Sequence, residues 1–401
     1  MDRLVYLDWA ATAPLCAEAA CAMKPFQVAG IENLELGGNA NSLHRIGRAA
    51  FSALEEARGS VMADLGAKRP DEIVFTSGAT EADNAALFGI VSACAARKRQ
   101  KGAKDFKPHV ITSSIEHDAV LAAVRVLERC GCEVTVLAPD RQGFVEARAL
   151  EAALRENTVL VSIHMVNNEI GSVQPVSELA ALAHGADAFF HTDAVQALGK
   201  EYVDVGELGV DAASFSGHKV GGPKGSGVLY LRTGTPFDPL IVGGGQESGR
   251  RSGTQNVCGA VGFAAACKAA CAAQEDEAAR LRGMRDHLYE RLGAYERVYP
   301  SVEVEPGSRD FAPHVVNVCV DGFESETLIL RLDRKGIAVS GGSACSSHSL
   351  DPSHVLKALG IASDRALGSL RISLGRSTVP EDVETFLAAF KESTEEAFSW
   401  S

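Results

Sequence analysis

The chain has 401 residues, 46% of them hydrophobic and 23% charged, enough for one large α/β body with a smaller appendage. Thirty-nine basic residues against 52 acidic ones give a net charge of −13, which argues against sequence-independent binding to nucleic acid. Ten cysteines are too few for a disulfide scaffold, no apolar run approaches the ~20 residues that span a bilayer, and Asp2 and Asp8 fall where a signal peptide needs an apolar stretch. The expectation is a cytoplasmic protein with reduced thiols, no membrane contact and no direct contact with nucleic acid.

Up to about residue 235, β-branched runs alternate with helical periodicity. Strands are predicted at 73–75, 110–113, 133–137, 159–164, 188–192, 213–216 and 228–231, and helices at 42–65, 81–97, 119–129, 147–155 and 176–184. This alternation predicts a mostly parallel seven-stranded sheet between helices, with ligands at the strand ends. After the glycines at 243–245 the texture changes. One long helical stretch is expected over 257–295, then strands near 302–305 and 315–320, a helix over 324–332, strands near 337–340 and 370–373, and a last helix after Pro380. The predicted division is a large domain over 14–257 and a small α+β domain formed by 1–13 with 258–401. Residues 97–107 hold six basic side chains against one acid and read as a solvated loop, with a docking patch for an acidic partner as the alternative.

The most specific motif is SGHKVGGPKGSGVLYLR at 216–232. Lys219 stands just past a strand in a glycine-rich turn, where desolvation frees an amine for Schiff-base chemistry, and Ser216 and His218 offer donors to an anion. Upstream, Asp193 closes the buried-looking strand in AFFHTDAVQ. A carboxylate there needs a cation or strong donors; a protonated pyridine nitrogen is one such partner, and capping of a following helix is the other reading. Gln196 points the same way from the next turn. In FTSGATEADNAAL, Ala79 and Thr80 put free N–H groups and a hydroxyl at a helix N-terminus, an anion site compatible with a Thr80–Asp83 capping box. His117 follows another strand, either as a ring for stacking or as an ordinary core or surface histidine. Asn167 and Asn168 end the next strand as site residues or as turn chemistry. An anion cradle, a Schiff-base lysine, a carboxylate for a ring nitrogen and a flat ring for stacking together make the parts of a pyridoxal 5'-phosphate site.

These motifs carry a resemblance. From YLDWAATAP (6–14) through GNANSLHRIGR, FTSGATEADN, SIEHDAV, NNEIGSVQPV, HTDAVQALGK, SGHKVGGPKG, GGGQESGRRSGTQN and SGGSACSSHSLDP to LRISLGR (370–376), the chain resembles the cysteine desulfurases of the NifS/IscS type, class V aminotransferases with the fold-type-I pyridoxal-phosphate architecture. The resemblance implies that Lys219 carries the cofactor, Asp193 pairs with its ring nitrogen, Gln196 touches the ring hydroxyl and His117 stacks on the ring and moves protons. It places Asn168 near cofactor and substrate, and Ala79, Thr80, Ser216 and His218 on the phosphate. Thr254 would reach the phosphate of a neighbouring subunit, so a homodimer is expected. Arg371 would hold the carboxylate of the substrate, L-cysteine.

Cys345 selects the desulfurase within that superfamily. Its SGGSACSSHS surroundings are poor core material, so this thiol is expected to attack the substrate sulfur, leave alanine and pass a persulfide to a sulfur-acceptor or scaffold protein for iron–sulfur cluster or other thio-cofactor biosynthesis. Trp9, Ala13 and Ala40 depart from the common pattern and are expected to shape the mouth and the arm of the site. A selenocysteine lyase or another class V aminotransferase is the nearest alternative reading. A metal or cluster scaffold is disfavoured: the close cysteine pairs, 130/132 and 267/271, include no C-x-x-C, and no metal ligand is expected.

Overall fold

The computed structural model describes residues 4–27, 29–30, 34–342 and 351–398. The chain opens with β1 (Val5–Tyr6), α1 (Ala17–Met23) and α2 (Arg45–Asp64). A run of alternating elements follows: β2 (Ile73–Thr76), α3 (Ala79–Gln100), β3 (His109–Ser113), α4 (Asp118–Arg129), β4 (Glu133–Leu137), α5 (Ala147–Ala153) and β5 (Thr158–Ser162). It continues through α6 (Val176–Gly185), β6 (Phe189–Asp193), α7 (Val205–Leu208), β7 (Ala212–Ser216) and β8 (Gly227–Leu231).

Strands β2 to β8 form one seven-stranded sheet in the order β2-β8-β7-β6-β5-β3-β4, parallel except that β8 runs against both of its neighbours. Period-two alternation sends Ile111, Val161, Phe190 and Ala213 into the core beneath α2, α6 and α8 (Val257–Ala272), and Val110, Leu160 and Ala212 into the core beneath α3 and α4. Both faces are therefore covered, as a parallel sheet requires.

The expected single helical stretch over 257–295 is two helices. Helix α8 ends at Ala272, and α9 (Gln274–Gly293) leaves it at 68°. Glu275, Asp276 and Glu277 fill the first turn of α9, where negative charge favours a helix start. The two helices also serve different cores: Phe263, Ala266 and Cys267 pack on the large sheet, whereas Leu281, Leu288 and Leu292 pack with the C-terminal elements.

Those elements are β9 (Val298–Pro300), β10 (Val315–Val320), α10 (Ser325–Asp333), β11 (Ile337–Ala338), α11 (His354–Ala358), α12 (Ser363–Ala366), β12 (Ser369–Ser373) and α13 (Pro380–Phe398). A three-stranded antiparallel sheet runs β12-β10-β9, and β11 pairs in parallel with β1. The strand expected near 302–305 lies earlier, at 298–300. Residue Glu303 instead gives its N–H to the Gln142 side chain at 2.8 Å, so this backbone is bonded to a loop of the large body. Val5 and Leu7 belong to the same core as Phe386 and Phe390, and from there the N-terminal segment crosses toward the large sheet. Of the basic stretch, residues 97–100 are the last turn of α3 rather than loop. Among the described residues no single helix is long and apolar enough to cross a membrane, and α8, half of the one bent pair of sufficient length, lies largely in the core.

Candidate active site

A cavity of about 560 Å³ opens at the carboxyl ends of the parallel strands, where the N-terminal crossing meets the large sheet. Of the residues singled out from the sequence, Ala79, Thr80, His117, Asn168, Asp193, Gln196, Ser216, His218, Lys219 and Arg371 line it. Thr254 does not. It lines a separate concavity of about 170 Å³ that shares Ser77 and Gly225 with the first. Cys345 lies outside the described residues.

One end of the cavity is a helix N-terminus. Strand β2 passes into α3 at Ser77 and Gly78, and the first backbone bond inside the helix runs from Ala82 to the Gly78 carbonyl at 3.2 Å, leaving the Ala79 and Thr80 N–H groups at the open end. Gly227 permits this placement: a Cβ there would meet the Gly78 Cα at 2.6 Å and its carbonyl carbon at 2.7 Å. The turn is closed by Ser77 donating to Glu81 from N–H (3.0 Å) and Oγ (2.6 Å), with Arg251 on the same carboxylate at 2.8 Å. Burial acts against the Glu81 charge, yet Arg251 and Ser77 hold its carboxyl below the usual range. The predicted Thr80–Asp83 box does not form; Asp83 is buried, with both oxygens lacking a hydrogen-bond partner.

Beside this cradle stand the residues of the β7 turn. Lys219 ends a single 3₁₀ turn and donates from Nζ to the carbonyls of Ala10 (2.6 Å) and Ala11 (2.8 Å). The N-terminal crossing thus holds the amine toward the cavity. His218 contacts Thr12 Oγ1 through Nδ1 at 3.1 Å; burial first, then the charges of Lys219, Lys224 and Lys200, push its pKa down to about 4, so the ring is neutral. Lys200 Nζ bonds the Lys219 carbonyl at 3.1 Å, and burial together with Lys219 pushes it down to about 7.

At the other end, Asp193 closes β6 and accepts the Val195 N–H at 2.9 Å. A turn follows it rather than a helix. Burial lifts its pKa above the ordinary carboxylate value, with His117 acting against the lift. Gln196 is fixed by Ala10 O at 2.9 Å and His314 Nε2 at 3.3 Å. His117 caps α4 through Nδ1, which accepts the Ala119 N–H at 3.1 Å. The two asparagines divide: Asn167 accepts from the N–H groups of Glu169 (2.9 Å) and Ile170 (3.0 Å) as a turn residue, and Asn168 faces the cavity.

Arg371, 1% exposed, donates to the Asn168 carbonyl (3.0 Å) and to Asp8 Oδ1 (3.1 Å), while its Nε has no partner. The flanks of residues 343–350 are tied to the same place. Ser340 pairs with Arg371 across an antiparallel bridge, and Ser353 donates to Glu169 at 2.5 Å. Trp9 and Ala13 line a different cavity, of about 310 Å³, behind Lys219, where the Trp9 ring occupies the space left by Gly375. They do not shape the mouth as expected.

The residues fit pyridoxal phosphate. Open N–H groups suit an anion, a buried carboxylate bonded by one backbone N–H among the described residues suits a group that brings its own N–H⁺, and an amine stands beside both. His164, Glu116 and Asp83 were not anticipated. His164 comes two residues after a strand end, the same signal that marked His117.

The sequence matches the Aminotransferase class-V family over residues 5–386. It is 44% identical over 383 residues to the cysteine desulfurase IscS of Dictyoglomus turgidum, covering 96% of this chain and 92% of that one. Among solved structures, a NifS-like protein superposes with a TM-score of 0.87 at 36% identity over 98% of this chain and all of that one. SspA, solved in complex with cysteine, gives 0.76 at 35% identity over 93% and 99%. The chain belongs to the class-V aminotransferases, among the cysteine desulfurases of the NifS/IscS type.

Proposed function

We propose that the protein removes sulfur from L-cysteine, giving L-alanine and a persulfide on Cys345 that is handed to an acceptor protein. The observation that carries this reading is the convergence of Lys219, Asp193 and the α3 N-terminus on one cavity, with Ser340, ahead of the Cys345 segment, paired to Arg371 of its lining and Ser353, after it, bonded to Glu169, the neighbour of Asn168 in that lining. Bound pyridoxal phosphate supplies an electrophilic carbonyl and a sink for the electrons left on the substrate α-carbon.

The chain's own groups supply the rest. The N–H groups of Ala79 and Thr80, the hydroxyls of Thr80 and Ser216 and the neutral ring of His218 hold the phosphate. Asp193 would hold a proton on the ring nitrogen, Gln196 would contact the ring hydroxyl, Asn168 would lie near cofactor and substrate, and His117 would stack on the ring. Lys219 tethers the cofactor and, once released, takes the α-proton of the substrate. Arg371 receives the substrate carboxylate, and its unpartnered Nε is a ready donor. The Cys345 thiolate attacks the substrate sulfur: the new S–S bond forms as the C–S bond breaks, its electron pair stays with the substrate carbon, and protonation there gives alanine. No external oxidant or reductant enters this step.

The functional unit we infer is a homodimer in which Thr254 reaches the phosphate of the partner, working in a reducing cytoplasm where thiols stay free. The sulfur then serves iron–sulfur cluster or other thio-cofactor biosynthesis. Cys345→Ala tests the reading: the variant stays yellow and is bleached by borohydride but releases no sulfide from L-cysteine with reductant. Release at the parent rate contradicts it, and activity on selenocysteine alone favours a lyase.

A further inference from the structure

Beside the cavity lies a buried pair, His164 of its lining and Glu116 behind it, for which the reaction above has no use. His164 is 3% exposed, and its Nδ1 lies 3.1 Å from Glu116 Oε1. Glu116, 1% exposed, also accepts the Ser113 hydroxyl at 2.5 Å and the His164 backbone N–H at 2.9 Å, while the His354 ring meets its carbonyl at 3.0 Å. The carboxylate thus grips both the ring and the backbone of the same histidine. The far nitrogen, Nε2, has no hydrogen-bond partner, although the side chain lines the cavity.

Asp193 lines the same cavity as His164, and the N–H of Met165, the next residue, bonds the Asp193 carbonyl at 2.8 Å. Around the Asp193 carboxylate stand His117 and Glu116 from the loop after β3, His164 from the loop after β5, and Asp83 from α3. Burial first, then the Asp193 charge, pushes the Asp83 carboxyl well above the usual carboxylate range, and the His191 ring stands 3.6 Å from its Oδ1. Burial drives Asp193 itself toward the protonated form, and the Glu116 charge pushes the same way; His117 and His164 oppose them. Burial works against a proton on His164, but the Glu116 carboxylate bound to it, and then Asp193, push its pKa above the ordinary histidine value.

We propose that His164, gripped by Glu116, is a positioning residue whose charge cancels that of Glu116 and so keeps Asp193 an ionised partner for the ring nitrogen. The inference rests on reading the cavity as a pyridoxal-phosphate site. A carboxylate that took up a proton there would no longer hold the ring nitrogen charged. Without His164, Glu116 would be an uncompensated buried anion beside Asp193, the costliest arrangement for a second carboxylate.

The test compares the holoenzyme with His164→Gln, Glu116→Gln and the double variant, reading the absorbance of bound pyridoxal phosphate against pH. A protonated ring nitrogen lowers the proton affinity of the nitrogen joining Lys219 to the cofactor, by charge repulsion. His164→Gln therefore moves the absorbance midpoint up by about one pH unit, a tenfold change in proton affinity. Glu116→Gln does not move it up, and the double variant, with no unpaired charge, returns to the parent value.

An unmoved midpoint in His164→Gln overturns the proposal. So does a double variant shifted as far as the single one, which is what lost packing alone gives, or an upward shift in Glu116→Gln, an arm that stands even if His164→Gln loses the cofactor. If the parent protein takes up no pyridoxal phosphate, the reading of the cavity itself fails, a result distinct from all of these.

Discussion

Arg371 joins two tasks in one side chain. Its guanidinium ties Asp8 of the N-terminal crossing to the Asn168 carbonyl, and its buried Nε has no hydrogen-bond partner. A lysine would keep the charge but not the fork. Arg371→Lys is therefore expected to raise KM for L-cysteine by about tenfold or more while leaving cofactor absorbance unchanged, since the phosphate and ring contacts lie elsewhere; an unchanged KM places the substrate carboxylate on another group. Lys219 and Asp193 were legible because each is a charged residue at a strand end, where the bland reading is costly, whereas Arg371 was reached only through the family resemblance. His164 and Asp83 were not. The meaning of His164 comes from Glu116, 48 positions away, and in SIEHDAV the eye goes to the histidine rather than to the glutamate that does the binding. Asp83 looked like a helix cap, yet Glu81 closes that turn with Ser77 and frees Asp83 to be buried.

At the scale of elements, the phosphate cradle depends on how closely β8 passes the start of α3. A Cβ on Gly227 would meet backbone, the Gly78 Cα at 2.6 Å and the Phe215 carbonyl oxygen at 2.8 Å, and backbone yields poorly. Gly227→Ala is expected to displace the Ser77–Thr80 turn and to weaken retention of pyridoxal phosphate by an order of magnitude or more, measured as loss of the yellow band on dialysis. Retention at the parent level would show that the cradle tolerates the shift. The strands of the large sheet were readable because alternation and β-branching persist when both faces are buried. The break between α8 and α9 was not, because no proline or glycine occupies Ala273; the helix bends where its residues pass from one core to the other, which periodicity alone does not record. The shift of β9 to 298–300 has the same character, since a Gln142 side chain claims the backbone of the predicted strand.

Over the whole molecule, the N-terminal crossing runs from the core of the C-terminal elements to the large sheet and lines the cavity through Ala10, Ala11 and Thr12. Val5 and Leu7 are anchored among the C-terminal elements, and Ala10 and Ala11 present their carbonyls to Lys219. Directly behind, Lys200 sits with its pKa pushed down to about 7 by burial and by Lys219. An unfolded lysine titrates near ~10.4, so between these values the unfolded chain holds the extra proton and this group makes stability rise with pH from about 7 to about 10. Lys200→Met removes that contribution. The melting-temperature gain of the variant over its parent should be larger at pH 7 than at pH 9; a gap independent of pH means that Lys200 is charged in the fold.

The central claim is that sulfur leaves cysteine by way of Cys345, and it is read most directly on the protein. After a brief reaction with L-cysteine in the absence of thiol reductant, followed by proteolysis and mass measurement, the peptide containing Cys345 is expected to be heavier by one sulfur, about 32 Da, with alanine formed in equal amount. The peptides of the other nine cysteines should be unchanged. Alanine formed with no added sulfur on Cys345, or sulfur appearing on a different cysteine, would contradict the account.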